Sequence, residues 1–455
     1  MDRFDSLSPL DYRYWDEEAA RYLSENGFTR YKLKVELALV TVLYSRGLCT
    51  AAVIKEVRAA CDQVTTAEVY EEEDRIKHDI RALANCIRAK VSDQAKPFVH
   101  MTATSYDIVD TANAARYKDV IQKVLVVGLT RLERTLVELT IREAETVQVG
   151  RTHGQHAVPI TFGFAMAGYV SRLGGSIEAL RAQAAALSGK FSGAVGAYNA
   201  SSLFFEDPEA FEAEVLKELR LKPAEHSTQI APPEALTRLL CEVTIAAGVM
   251  ADLADDMRHL QRTEIGEVGE AFGAEQVGSS TMPQKRNPIN FENAKSLWKV
   301  IAARMQTVFM DQLSEHQRDL TNSASARTYG EVIAYAVSMA KRLERTMKKL
   351  AVDRANLERN LGAQLGLVVA EPLYIILAAL GHPDAHEVVR NLTLQAQREK
   401  HSLGEVMARD EELRPYLERM TSRQRQILAE PSLYTGIAAK KARAVAERWK
   451  ERLGL

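Results

Sequence analysis

The chain has 455 residues, with 59 lysines and arginines against 61 aspartates and glutamates and a net charge of -2. So even a balance excludes a global basic field of the kind that draws proteins to nucleic acid or anionic membranes, and an anionic ligand must be met by local cations. The length exceeds one simple core and predicts two or three domains. Cys49, Cys61, Cys86 and Cys241 show no CxxC spacing, which predicts reduced thiols in a cytoplasmic protein. No apolar run of signal length opens the chain, and no stretch approaches the roughly 20 apolar residues of a membrane-spanning helix.

Residues 1–103 predict a smaller, mostly helical domain that closes at Lys96-Pro97. Beyond it, no proline lies between Pro97 and Pro159, between Pro233 and Pro283, or between Pro288 and Pro372, and these gaps carry sustained helical periodicity. Over 107–147, Ile121, Leu125, Leu132, Leu136 and Leu139 recur at three-, four- and seven-residue steps. Further helices are predicted over 161–190, 234–272, 290–313 and 323–350, all rich in Ala, Leu, Met, Glu and Arg. Helices this long predict an all-α fold in which 104–351 form a bundle that continues across subunits. Residues 352–455 predict a third domain of shorter helices, broken at Gly381-His382-Pro383 and Pro415. Little β alternation is visible anywhere.

Polar loops interrupt the helices. Gly150-Arg-Thr-His153-Gly-Gln-His156-Ala-Val-Pro159 breaks the helical pattern with glycine and proline around two histidines. A histidine titrating near neutral pH suits proton transfer. No cysteine or carboxylate sits nearby to complete a metal site, so no metal is expected. Before the 107–147 helix, Thr104 and Ser105 read equally well as a plain N-cap and as hydroxyls offered to a carboxylate. Gly266, Gly269 and Gly273 suit a flap that closes over a ligand. That run leads into Gly278-Ser279-Ser280-Thr281-Met282-Pro283-Gln284-Lys285-Arg286-Asn287-Pro288, which collects hydroxyls, a cation, an amide and backbone N–H groups suited to carboxylates. A serine held beside a lysine and backbone amides can be stabilised as an alkoxide base. Asn287-Pro288 reads as an N-cap followed by proline at the first helical position, with Glu292 about one turn on. The chain has no Walker A, no GxGxxG and no metal-spaced cluster, so no cofactor is expected. Ser279 also lacks a G-x-S-x-G elbow, which argues against a serine hydrolase.

The string from Gly278 to Pro288 resembles the G-S-S-x-M-P-x-K-x-N-P signature of the fumarase/aspartase superfamily, whose three-domain all-α fold forms a twenty-helix core in a homotetramer. The resemblance implies Ser279 as general base, Lys285 and Asn287 at the substrate carboxylate, and Glu292 as the group that orients a catalytic histidine. Gly150–Ala157 resembles the G-R-T-H-G-x-H-A segment of the adenylosuccinate lyase branch and implies His153 as general acid. His100 to Asp107 resembles H-x-x-x-T-S-x-D, implying Thr104 and Ser105 at a succinyl carboxylate. Ser8 to Tyr14 resembles S-P-L-x-x-R-Y, with Arg13 and Tyr14 at a nucleotide phosphate. Lys77-His78-Asp79 resembles R-H-D or N-H-D and transfers His78 and Asp79; Ser227-Thr228-Gln229 transfers Gln229; R-x-L-x-x-S-x-x-x-R transfers Arg318, Ser323 and Arg327. The likeness runs from about residue 8 to Gly436. It implies cofactor-free elimination of fumarate from a succinylated purine nucleotide, in sites that draw residues from three chains. Asn293 stands where many members carry arginine, and Gln284 is shared with argininosuccinate lyases. Another fumarate-releasing substrate is therefore the rival reading, and a catalytically silent helical scaffold is the reading from another class.

Overall fold

The structure is a computed structural model and describes residues 5–271, 279–364 and 366–455. Helices dominate, as expected, and strands among the described residues are confined to three two-stranded pairs. The chain divides into two compact units, each assembled from three separate stretches. The first comprises Met1–Leu129, Ser176–Gly248 and Ser296–Lys341; the second comprises Thr130–Gly175, Val249–Lys295 and Arg342–Leu455.

In the first unit, helix Glu25–Ser45 packs on helix Ser105–Val120. Val35, Leu39 and Leu43 recur every four residues and are fully buried, and Ile108, Ala112 and Ala115 answer them from the partner helix. A four-residue step keeps side chains on one helical face, and each such large aliphatic side chain contributes about 1.5–3 kcal/mol by leaving water. In the second unit, a further apolar cluster joins Leu373, Leu377, Val389, Leu392 and Leu403 of the shorter helices.

The predicted long helices are present with corrected ends. The 107–147 prediction resolves into Ser105–Val120, one π-helical turn Ile121–Leu125, and Val126–Arg142. Helices Phe162–Ala186, Ile289–Met310 and Tyr329–Lys348 stand where 161–190, 290–313 and 323–350 placed them. The 234–272 prediction ends early, at Leu260, because Val268–Gly269 pairs with Ala351–Val352 instead of continuing the helix. No single helix among the described residues is long and apolar enough to cross a membrane.

Glu133, inside Val126–Arg142, is fully buried, and neither carboxylate oxygen finds a hydrogen-bond partner among the described residues. Burial pushes its carboxyl up to about 9. The folded chain thus keeps a proton there that the unfolded chain has already released at neutral pH. Stability from this group is full below the ordinary carboxylate range and falls as pH rises towards 9. The cost at pH 7 is on the order of 3 kcal/mol. Glu133→Leu is expected to resist denaturant better than wild type at pH 8, with a difference that shrinks towards pH 5. Equal or lower resistance at both pH values would mean that the carboxyl is compensated.

Candidate active site

In the second unit, β1 (Val147–Thr152) and β2 (Gln155–Thr161) form an antiparallel hairpin whose register sets Thr152 opposite Gln155. His153 and Gly154 are left as a two-residue turn with φ of 54° and 75°. Positive φ at both positions is what a type I′ turn requires, because its twist matches that of the flanking strands. Glycine adopts it freely, whereas histidine does so at a cost of about 1–2 kcal/mol. The imidazole is thereby presented, exposed, at the hairpin tip. Gly150 lies at a register shift between Val149 and Arg151, where a Cβ would stand 2.6 Å from the Val158 carbonyl oxygen. The glycines that read as helix breakers are bulge and turn residues of a hairpin. The bulge also interrupts the alternation that would have announced the strands.

Two residues before His153, the Arg151 guanidinium forms a forked ion pair with Glu267, at 2.6 Å and 3.0 Å. Glu267 is fully buried and also accepts from Gln148 Nε2 and Asn360 Nδ2, both at 2.8 Å. The hairpin is thus tied, at Gln148 and at Arg151, to the stretch that leads into the signature loop. His156, on β2, is held below its usual value by burial and by the neighbouring Arg151, which leaves it neutral at pH 7.

Glu270 anchors the other side of that loop. Its carboxylate accepts from the backbone N–H of Asn290 at 2.9 Å, the N–H of Phe291 at 3.0 Å and Asn290 Nδ2 at 2.6 Å. These are the unsatisfied first-turn amides of Ile289–Met310. The capping carboxylate therefore comes from Glu270, and the helix starts one residue after the expected Pro288. Gln261 accepts from the Glu270 N–H at 3.0 Å and donates to the Arg286 carbonyl at 3.2 Å. Between these stems, Ser279 Oγ accepts from Thr281 N–H at 3.3 Å and Met282 N–H at 3.0 Å. Donors aimed at an oxygen favour its anionic form. Ser279 and Asn287 are half-buried, while Lys285 and Glu292 are exposed. Among the described residues, no hydrogen bond joins Glu292 to His153. Gly273 and Gly278 lie outside the described residues.

In the first unit, the start of Ser105–Val120 gathers most of the remaining candidates. Thr104 is its N-cap, in a capping box with Asp107, whose Oδ2 accepts the Thr104 N–H at 2.8 Å. Asp107 is fully buried, and its Oδ1 accepts from Lys190 Nζ and from the N–H groups of Ser192 and Gly193. The cap is built, and Thr104 and Ser105 stand at the positive end of the helix dipole. One turn on, Asp110 accepts the Ala231 N–H at 2.8 Å, and burial pushes its carboxyl up to about 6. Ser227 and Ser192 share a hydrogen bond of 2.6 Å, so the segment that carries Gln229 is pinned on both sides.

Tyr106 is the residue on which the cluster converges. Arg318 lies over its ring, 3.9 Å from the centroid, and donates from Nη2 to the phenol oxygen. Burial raises the Tyr106 phenol, Arg318 works against that, and Asp110, Asp79 and Arg327 also act on it. Thr104, Ser105 and Arg318 are thus brought to one helix start, with Asp79 and Arg327 near enough to act electrostatically on Tyr106. His78 caps Asp79–Arg88, its Nδ1 accepting the Arg81 N–H at 3.3 Å. Ser323 is exposed on the loop between Arg318 and Arg327. Arg13 and Tyr14 follow a short 3-10 turn capped by Ser8, and Tyr14 packs edge-on against Tyr335 at 5.8 Å.

Ahead of the helix, His100 and Thr102 both take positive φ, 64° and 66°. Such backbone is strained for a β-branched residue. His100 is held there by Glu36, 2.7 Å from its Nδ1 and buried. Burial opposes protonation of His100, but Glu36 outweighs it and holds the imidazole above its usual value.

Sequence reasoning missed Tyr106, Glu267, Glu270 and Asp110. Tyr106 fills the variable place in T-S-x-D, so nothing local marked it. The two glutamates were absorbed into a glycine-rich run. Asp110 had a usable signal, since it stands one turn from Asp107 on the same helix.

A family model described as lyase matches residues 8–306, and another, adenylosuccinate lyase C-terminal, matches 314–427. The 3-carboxy-cis,cis-muconate lactonizing enzyme of Pseudomonas putida is similar in structure, with a TM-score of 0.85 at 25% identity over 98% of this chain and 100% of that one. A fumarate lyase of Mesorhizobium sp. BNC1 shares the fold at a TM-score of 0.84 and 21% identity, over 95% of this chain and 98% of that one. The family model and the fold together define an all-α lyase. The adenylosuccinate lyase of Pyrococcus abyssi is 38% identical over 424 residues, 90% of this chain and 92% of that protein. That of Archaeoglobus fulgidus is 35% identical over 447 residues, 97% and 98%. The chain belongs to the adenylosuccinate lyase family.

Proposed function

We propose that this protein splits adenylosuccinate into AMP and fumarate, and the succinylated carboxamide precursor SAICAR into AICAR and fumarate. The observation that carries the reading is Ser279 Oγ receiving two backbone amides, six residues before Lys285. An oxygen so placed is suited to exist as an alkoxide. Ser279 takes the proton from the carbon beside the succinyl carboxylate, and negative charge builds on that carboxylate. Lys285, Asn287 and the Thr104-Ser105 helix end supply donors to it. The carbon–nitrogen bond then breaks, its electron pair goes to the purine nitrogen, and His153 gives that nitrogen a proton from the opposite face. Arg13, Tyr14, His78, Asp79, Gln229, Arg318, Ser323 and Arg327 hold the nucleotide, and no cofactor takes part.

The same reading makes the protein a cytoplasmic homotetramer in which Ser279, His153 and the Thr104-Ser105 pair of one site come from different copies. Exposed apolar side chains on the long helices, Ile245, Val300, Phe309 and Met310, support assembly. It also includes a division into three domains near residues 103 and 351. The test is fumarate release by purified protein offered adenylosuccinate and argininosuccinate side by side. Turnover of adenylosuccinate alone is expected; turnover of only the second compound, or of neither, overturns the reading.

A further inference from the structure

We propose that Tyr106 is the positioning residue that aims Arg318 at an oxyanion of the substrate. The inference rests on the function proposed above and adds a residue to that site. Arg318 has five N–H donors in a flat fork, and the structure accounts for them unevenly. Nη2 donates to the Tyr106 phenol oxygen and Nη1 to Asn322 Oδ1 at 3.2 Å. Nε is buried and has no hydrogen-bond partner among the described residues. A buried guanidinium donor left open costs free energy unless an acceptor arrives, and an anionic ligand is the acceptor a guanidinium fits best. Protein groups take two of the five N–H groups, so the fork, with its unpartnered Nε, keeps donors for such a ligand.

Tyr106 fixes that orientation in two ways. Its ring lies against the guanidinium, 3.9 Å from centroid to Cζ, which restricts the group's movement. Its hydroxyl accepts from Nη2, which limits rotation about the plane normal. An unrestrained arginine keeps considerable rotamer entropy, part of which a ligand would have to offset on binding. Tyr106 is itself rigidly placed, one residue after Ser105 and one before the fully buried Asp107 that locks the helix start. The residue that aims the arginine therefore belongs to the same turn as the proposed carboxylate donors.

The test compares wild type with Tyr106→Phe, which keeps the ring and loses the hydroxyl, and Tyr106→Leu, which loses both. Initial rates are measured with adenylosuccinate, together with product inhibition by AMP and by fumarate. Wild-type turnover is measured first: if wild type releases no fumarate, the proposed function fails and the inference falls with it. If wild type is active, Tyr106→Leu is expected to raise KM at least tenfold while kcat stays within about threefold, and Tyr106→Phe to fall between. Weakened inhibition by AMP alone assigns the oxyanion as the phosphate, and weakened inhibition by fumarate alone assigns it as the carboxylate. An active Tyr106→Leu with KM within twofold of wild type overturns the inference. So does a loss confined to kcat with a lowered unfolding midpoint, because that marks a merely structural role.

Discussion

Replacing His153 with alanine is expected to lower turnover by a factor on the order of 10² to 10⁴ while leaving folding and assembly intact. The side chain is exposed at the hairpin tip, so truncation opens no cavity. Under the proposed mechanism, truncation removes the proton that the departing nitrogen needs. Alanine at φ 54° is strained, so His153→Asn is the companion variant, asparagine being more tolerant of left-handed backbone. Both variants are expected to show the same collapse in kcat with little change in KM. If each site draws on several copies as proposed, mixing His153→Ala with Ser279→Ala subunits and allowing reassembly should recover part of the activity, since some sites would regain both groups. Variants that aggregate, or that keep wild-type turnover, would show that the imidazole belongs to the turn and not to the reaction.

Glu267→Ala is expected to cost about 3–5 kcal/mol of stability, because it strands a partly buried guanidinium whose counter-charge has gone. The carboxylate is fully buried and engages Arg151, Gln148 and Asn360 together, so no water-exposed substitute is at hand. Arg151 stands two residues from His153, so activity should fall further than stability alone explains under conditions where the variant is still folded. Glu267→Gln keeps the shape and two of the polar contacts and is expected to lose less on both counts. Denaturant unfolding with a parallel rate assay checks this; an alanine variant within about 1 kcal/mol of wild type would show that Arg151 finds another partner.

Much of this was legible beforehand, for local reasons. Proline-free stretches with helical spacing marked the long helices, and they lie where the spacing placed them. The hairpin was not legible, because its strands are short, interrupted by a bulge at Gly150 and set between two helices. The expected end at 272 failed for a similar reason: Val268 and Gly269 find their strand partners at Val352 and Ala351, more than eighty positions away.

The sequence by itself determined the helical class, the family and the chemical inventory, since Ser279, His153, Lys285 and Asn287 stand in strings whose spacing already carries a meaning. Tertiary structure alone decided who holds them. Arg151 meets Glu267 across 116 positions, and Tyr106 meets Arg318 across 212. Neither pairing leaves a periodicity or a motif, because a salt bridge or a stacked ring depends on where two backbones pass each other in space, and that is set by the packing of the whole helical frame.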